Sequence, residues 1–170
     1  LRRFHIGQYV SHYIGERHLK KEGTPTMGGL IFIVPTIVAL VLLYFNQSIE
    51  ISHNLIILIF VFLAYATLGF IDDYLKIKYH NNKGLSIVAK LLIQMIIALV
   101  FFYIFMSNGG KSDLVISSLG ITIPLGWTFG LFILFLLVGS SNAVNITDGL
   151  DGLAGGLSAI AFFAFGLISW

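Results

Sequence analysis

Residues 54–76 read NLIILIFVFLAYATLGFIDDYLK, and the reading of this stretch decides the fold. From Asn54 to Ile71 the chain is apolar and uncharged; Asp72 and Asp73 then stand side by side, and Lys76 follows. At about 1.5 Å of rise per residue, a helix of that length covers nearly all of the roughly 30 Å of hydrocarbon in a bilayer. The carboxylates therefore mark the place where a membrane span meets water.

Four further apolar tracts flank this one: Met27 to Phe45, Leu85 to Met106, Leu125 to Val144, and Leu153 to the last residue, Trp170. The 170 residues are 57% hydrophobic and only 11% charged, with a mean hydropathy of +0.93. Soluble domains carry roughly 25% charged residues. An all-α polytopic membrane protein with about five transmembrane helices is expected, as one membrane domain over residues 1–170. The polar, basic N-terminus does not resemble a cleaved signal peptide. Because the chain lacks an initiator Met and is still apolar at Trp170, it is read as an excerpt from a longer protein.

Lysine and arginine orient the spans. Arg2, Arg3, Arg17, Lys20 and Lys21 precede the first; Lys76, Lys78 and Lys83 lie between the second and third, with Lys90 just inside the third. Only Lys111 falls in a loop of the other parity, so nine of ten basic residues share a side. That side is expected to be cytoplasmic. Residues 1–26, 72–84 and 139–152 are then cytoplasmic loops, and 46–53 and 107–123 outer ones. In the longer outer loop, an Asn108-Gly109-Gly110 turn signal precedes alternating β-branched residues, which predicts a small periplasmic β-hairpin near residues 108–123.

Three polar clusters occupy the cytoplasmic ends of the spans. The first is KKEGTPTMGG, Lys20 to Gly29, where Thr24 can cap a helix that has Pro25 in its first turn. Free N–H groups and two lysines would suit a phosphate, although the motif alone favours an ordinary capped helix start with snorkelling lysines. The second is Asp72-Asp73. Two adjacent carboxylates at a helix C-terminus repel each other and the helix dipole, so a compensating cation such as Mg²⁺ is expected there; two water-solvated interfacial acids are the plainer reading. The third runs from Ser140 to Gly152 (SSNAVNITDGLDG), in which Asn145, Asp148 and Asp151 recur every three residues and, if helical, share a face. Such groups suit a nucleobase, a sugar or a metal's water ligands; a polar interhelical loop is the alternative.

Other chemistries are excluded or weakened. There are no cysteines, hence no disulfide and no thiolate metal site. No Asp, Glu or His lies mid-span, where a proton-coupled transporter usually needs one. His5, His12 and His18 are spaced by seven and six residues and form no i, i+4 metal pair. No nucleic-acid partner is expected.

At KEGTPTMGG (Lys21–Gly29), GFIDDYLK (Gly69–Lys76) and NAVNITDGLDGLAG (Asn142–Gly155), the sequence resembles the phospho-N-acetylmuramoyl-pentapeptide transferases. These belong to the polyprenyl-phosphate N-acetylhexosamine-1-phosphate transferases. The resemblance covers essentially the whole chain and implies a Mg²⁺-dependent phospho-sugar transferase, with Mn²⁺ as a substitute. It implies a multi-pass enzyme of the bacterial inner membrane that works at the cytoplasmic face. UDP-N-acetylmuramoyl-pentapeptide would give its phospho-sugar to undecaprenyl phosphate, yielding lipid I and UMP in peptidoglycan synthesis. It also implies ten transmembrane helices, of which this chain would hold the second to sixth, and a homodimer. Asp72, Asp73 and Asp148 would be the catalytic acids, Asp73 and Asp72 the metal-linked ones. Lys21, Thr26, Lys76, Asn145 and Asp151 would contact substrate. The family's Gly-Pro-x-Ser-His element is not clear in Tyr13–His18 (YIGERH), and its second half, with another metal-binding Asp and a histidine cluster, is absent.

The acceptor in such a reaction is a phosphate monoester with a second pKa near 6, mostly a dianion already at neutral pH. A base has little proton to remove, and the larger barrier is bringing the dianion to a diphosphate. Direct attack of the lipid phosphate on the sugar-linked phosphorus is therefore expected; Asp72 acting as base or nucleophile is the alternative. A related UDP-N-acetylglucosamine transferase, a transporter with a nucleotide site and a membrane scaffold are the competing functions.

Overall fold

A computed structural model describes residues 27–80, 84–148 and 152–169. Among these residues there are five α-helices and one small hairpin: α1 (Leu30–Phe45), α2 (His53–Lys78), α3 (Ile87–Ser107), β1 (Asp113–Ile116), β2 (Ile121–Pro124), α4 (Thr128–Thr147) and α5 (Leu153–Ser169). Each predicted apolar tract is a helix. Three of them, α2, α3 and α4, are long and apolar enough to cross a membrane, while α1 and α5 are shorter apolar helices. The chain divides into two compact units, one up to Gly110 and one from Lys111 onward.

In the first unit, serines start the long helices. Ser52 Oγ accepts the Leu55 N–H at 3.2 Å, and Ser86 Oγ accepts the Ala89 N–H at 3.2 Å. Each occupies one of the four N–H groups that a helix start leaves without a partner. The helix α2 continues past Ile71 for nearly two turns, carrying Asp72, Asp73 and Lys76 on helical backbone to Lys78. Lys76 and Lys78 lie in its last turn, where the helix dipole favours cations. The acids sit more than a turn inside the end, where the dipole penalty has largely faded.

The helices α2 and α3 pack together, and the buried apolar residues of the unit lie on them: Ile57, Leu68, Ile97 and Ala98. Gln94 is fully buried one turn along α3 from Lys90. Most other apolar side chains on these helices are exposed, as expected where lipid is the solvent.

The first span's helix starts three residues after the expected Met27. Thr24 and Pro25 lie outside the described residues, but α1 begins only at Leu30, with Gly29 at its N-cap position and no side-chain cap. Gly28 and Gly29 are poor helix formers, and Met27 has a left-handed φ of +64°, which breaks the backbone before the helix. The amides of Leu30, Ile31 and Phe32 donate to the carbonyls of Met27, Gly28 and Gly29. Those three N–H groups are thus already engaged.

In the second unit, β1 and β2 pair antiparallel, Asp113 opposite Pro124 and Ile116 opposite Ile121. The predicted hairpin is present. Its turn is the 3-10 segment Ser117–Leu119 with left-handed Gly120, whereas Asn108-Gly109-Gly110 terminates α3. The helix α4 runs to Thr147, so residues 139–147 are helical rather than loop.

Candidate active site

Asp72 and Asp73 are adjacent in α2, and the surrounding groups treat them differently. Asp72 is 6% exposed. Its Oδ2 meets Lys76 Nζ at 2.7 Å and Lys90 Nζ at 3.8 Å, and its Oδ1 accepts the Leu85 N–H at 2.9 Å. Asp73 is the more open: its side chain is 34% exposed. Its Oδ1 accepts from Lys76 Nζ at 3.1 Å and its Oδ2 from the Met27 N–H at 3.3 Å.

Each contact has a local origin. Lys76 reaches both acids because residues three and four apart share a helix face. Lys90 lies one turn into α3, and the packing of α3 on α2 brings its ammonium beside Asp72. The Leu85 amide arrives through Gly84, whose φ of +54° turns the chain into α3. Met27 arrives through its left-handed backbone, which places the end of the first polar cluster on the second.

A buried carboxylate costs several kcal/mol unless it is paired and hydrogen-bonded. Two lysines and a backbone amide answer that cost for Asp72. The compensating cation expected beside the acid pair is thus present within the protein, as Lys76 and Lys90.

The donor set can still hold a metal ion. Among the described residues no three His, Asp or Glu side chains converge to cage one. Carboxylate oxygens have about four lone-pair sites between them, and Asp73 is open to solvent with two long contacts. Mg²⁺ is typically held by one or two carboxylates, with phosphate oxygens and water completing its shell. Asp72 and Asp73 fit that pattern.

The third cluster belongs to the second unit. Asn145 is in the last turn of α4 and Asp148 is its C-cap residue, with its N–H donating to the Val144 carbonyl. Spaced by three on helical and cap backbone, the two share a face, as the sequence predicts. Both are exposed. Lys21, Thr26 and Asp151 lie outside the described residues.

Sequence reasoning overlooked three contributors. Lys90 had a signal, being a charge inside an apolar tract. Gly84 had only a weak one, a glycine after the polar run Asn81-Asn82-Lys83. The Met27 amide had none, since nothing in a methionine announces a left-handed backbone.

The fold and the site together define a class: a multi-pass membrane protein with a paired-acid, paired-lysine cluster at a helix end. The chain belongs to glycosyl transferase family 4, whose model matches residues 54–170. Residues 21–33 match the phospho-N-acetylmuramoyl-pentapeptide-transferase signature 1. It is similar to the phospho-N-acetylmuramoyl-pentapeptide-transferase of Bacillus subtilis strain 168, 44% identical over 170 residues, all of this chain and 52% of the relative. Those of Bacillus licheniformis and Oceanobacillus iheyensis are 43% and 41% identical over the same share of each chain. The chain spans about half the length of the curated relatives it matches.

Proposed function

We propose that the protein works as a phospho-N-acetylmuramoyl-pentapeptide transferase, moving the phospho-sugar from its UDP-linked donor to undecaprenyl phosphate at the cytoplasmic face of the bacterial inner membrane. The observation that carries the reading is the contact of Met27 with Asp73. It ties the middle of the signature match, residues 21–33, to an acid within the family match, residues 54–170.

In this reading the cluster solves an electrostatic problem. Two unit charges 4 Å apart repel by about 4 kcal/mol at an effective dielectric of 20. A dianionic acceptor and a diphosphate meet several times that unless cations stand between them. Lys76 has three N–H donors. Two point at Asp72 and Asp73, which leaves the third for a phosphate oxygen. Lys90 adds a second positive charge one helix away. Bound Mg²⁺, held by Asp73 and Asp72, would supply further neutralisation of the diphosphate and of the departing UMP. Asp72, enclosed by donors, is suited to fixing the lysines and poorly suited to attacking phosphorus. Direct attack by the lipid phosphate follows. The family resemblance would add Asp148 as a third acid and Asn145, Asp151, Lys21 and Thr26 as substrate contacts.

The test is an assay of UMP release from UDP-N-acetylmuramoyl-pentapeptide with undecaprenyl phosphate, using a full-length protein that carries this segment, in detergent or membranes. UMP and a lipid-linked muramoyl-pentapeptide product are expected. Turnover of UDP-N-acetylglucosamine instead would reassign the donor, and absence of UMP with either would defeat the proposal.

A further inference from the structure

Gly84 has no reactive group, yet the geometry around Asp72 depends on what it lacks. Its φ of +54° lies in the left-handed region, which penalises L side chains. A Cβ built on its backbone would stand 2.6 Å from Asp72 Oδ1, and 3.0 Å from both Asp72 Cγ and Lys76 Cε. The same Oδ1 accepts the N–H of the next residue, Leu85, at 2.9 Å. The Asp72 side chain is 9% exposed, so it has little room to move away from an added methyl.

We propose that Gly84 is a positioning residue for Asp72. Without a side chain, the Gly84–Leu85 backbone closes over the carboxylate, fixing one oxygen on the Leu85 N–H and leaving the other toward Lys76 and Lys90. A β-carbon at this position pushes the carboxylate off the amide and disturbs the lysine pairing with it. The inference rests on the reading of Asp72 as a working residue of the transferase.

Three substitutions in a full-length protein carrying this segment separate the causes. Gly84→Ala brings both backbone strain and the clash. Gly84→Asn brings the clash with less strain, since Asn tolerates the left-handed region better. Gly120→Ala brings strain alone, because Gly120 has φ +63° and nothing within 4 Å of a built Cβ. Both Gly84 variants are expected to lose about a hundredfold in kcat per folded molecule, the scale of a misplacement of about 1 Å. Gly84→Ala should also melt below Gly120→Ala, because the clash adds to the strain, so kcat is read per folded molecule; the kcat of Gly120→Ala should be unchanged. A Gly84→Asn protein with wild-type kcat would overturn the proposal, and so would losses explained by the unfolded fraction alone.

A second readout does not depend on turnover. In ¹⁵N-labelled protein in nanodiscs, the Leu85 amide resonance should shift on Asp72→Asn and shift the same way on Gly84→Ala. An amide indifferent to both substitutions would sink the positioning role whatever the kinetics. If the wild-type protein releases no UMP from any UDP-sugar, the proposed function fails and the Leu85 resonance decides the positioning role alone.

Discussion

Asp72 and Asp73 are neighbours in sequence, but the groups around them divide their work. Asp72 is enclosed by two ammonium groups and an amide, while Asp73 touches one ammonium and one amide and stays open to solvent. Substitution of Asp73 should therefore appear in metal dependence. Asp73→Asn is expected to lower UMP release, with partial recovery at raised Mg²⁺ or with Mn²⁺; an unchanged metal titration would remove Asp73 from the metal's shell. Lys76 is different, because it joins both acids. Lys76→Met leaves the buried Asp72 with Lys90 at 3.8 Å and the Leu85 amide. Breaking a buried pair costs about 3–5 kcal/mol, but Lys76 is 32% exposed and solvent screens part of its attraction. A loss of about 1–2 kcal/mol is expected, read from the unfolding midpoint in detergent, together with a fall in kcat. At this scale the sequence displays the acids and Lys76, since adjacent carboxylates at the end of an apolar tract are conspicuous. It hides the contacts of Met27, Gly84 and Leu85, because these are made by backbone atoms whose placement depends on φ rather than on side-chain type.

At the scale of elements, hydrophobic runs announce helices but not their ends. The apolar tract stops at Ile71 and the helix at Lys78, because Asp, Lys and Tyr are acceptable helix residues once outside hydrocarbon. The same holds at the end of α4, where Asn142 and Thr147 direct side-chain donors back to the carbonyls of Val138 and Ala143, four residues earlier. Helical extension beyond the apolar boundary is what holds Asp72, Asp73 and Lys76 on one rigid element. The other wall of the cluster is the start of α3, which Ser86 caps one turn before Lys90. Ser86→Ala should cost about 1 kcal/mol, the usual value of a lost N-cap. It should also loosen the first turn that carries Lys90, so hydrogen exchange at Ala89 and Lys90 should quicken more than at Ala98. Equal exchange at both places would mean that packing, rather than the cap, holds that end of α3.

For the whole molecule, the proposed reading requires the ends that bear the polar clusters to share one side of the membrane. These 170 residues hold no cysteine, so thiols introduced one at a time into a full-length protein whose remainder is also cysteine-free would each report a single position. Tyr79, just past α2, and Ile146, in the last turn of α4, are exposed and lie outside the acid–lysine cluster. Ser48, before α2, and Asn108, which caps the C-terminal end of α3, are exposed at the opposite ends of the long helices. A helix of 21 residues such as α3 rises about 31 Å, enough to separate its ends across the hydrocarbon. The surplus of lysine and arginine lies on the Tyr79 side, so that side should face the cytoplasm. With a membrane-impermeant maleimide on intact cells, stripped of any outer membrane barrier, Ser48→Cys and Asn108→Cys should be labelled. Tyr79→Cys and Ile146→Cys should be labelled only after the inner membrane is opened. Labelling of Ile146→Cys in intact cells would place Asn145 and Asp148 across the bilayer from Asp72 and Asp73. No single substrate could then touch both sets of acids, and the transferase reading would fail on topology alone.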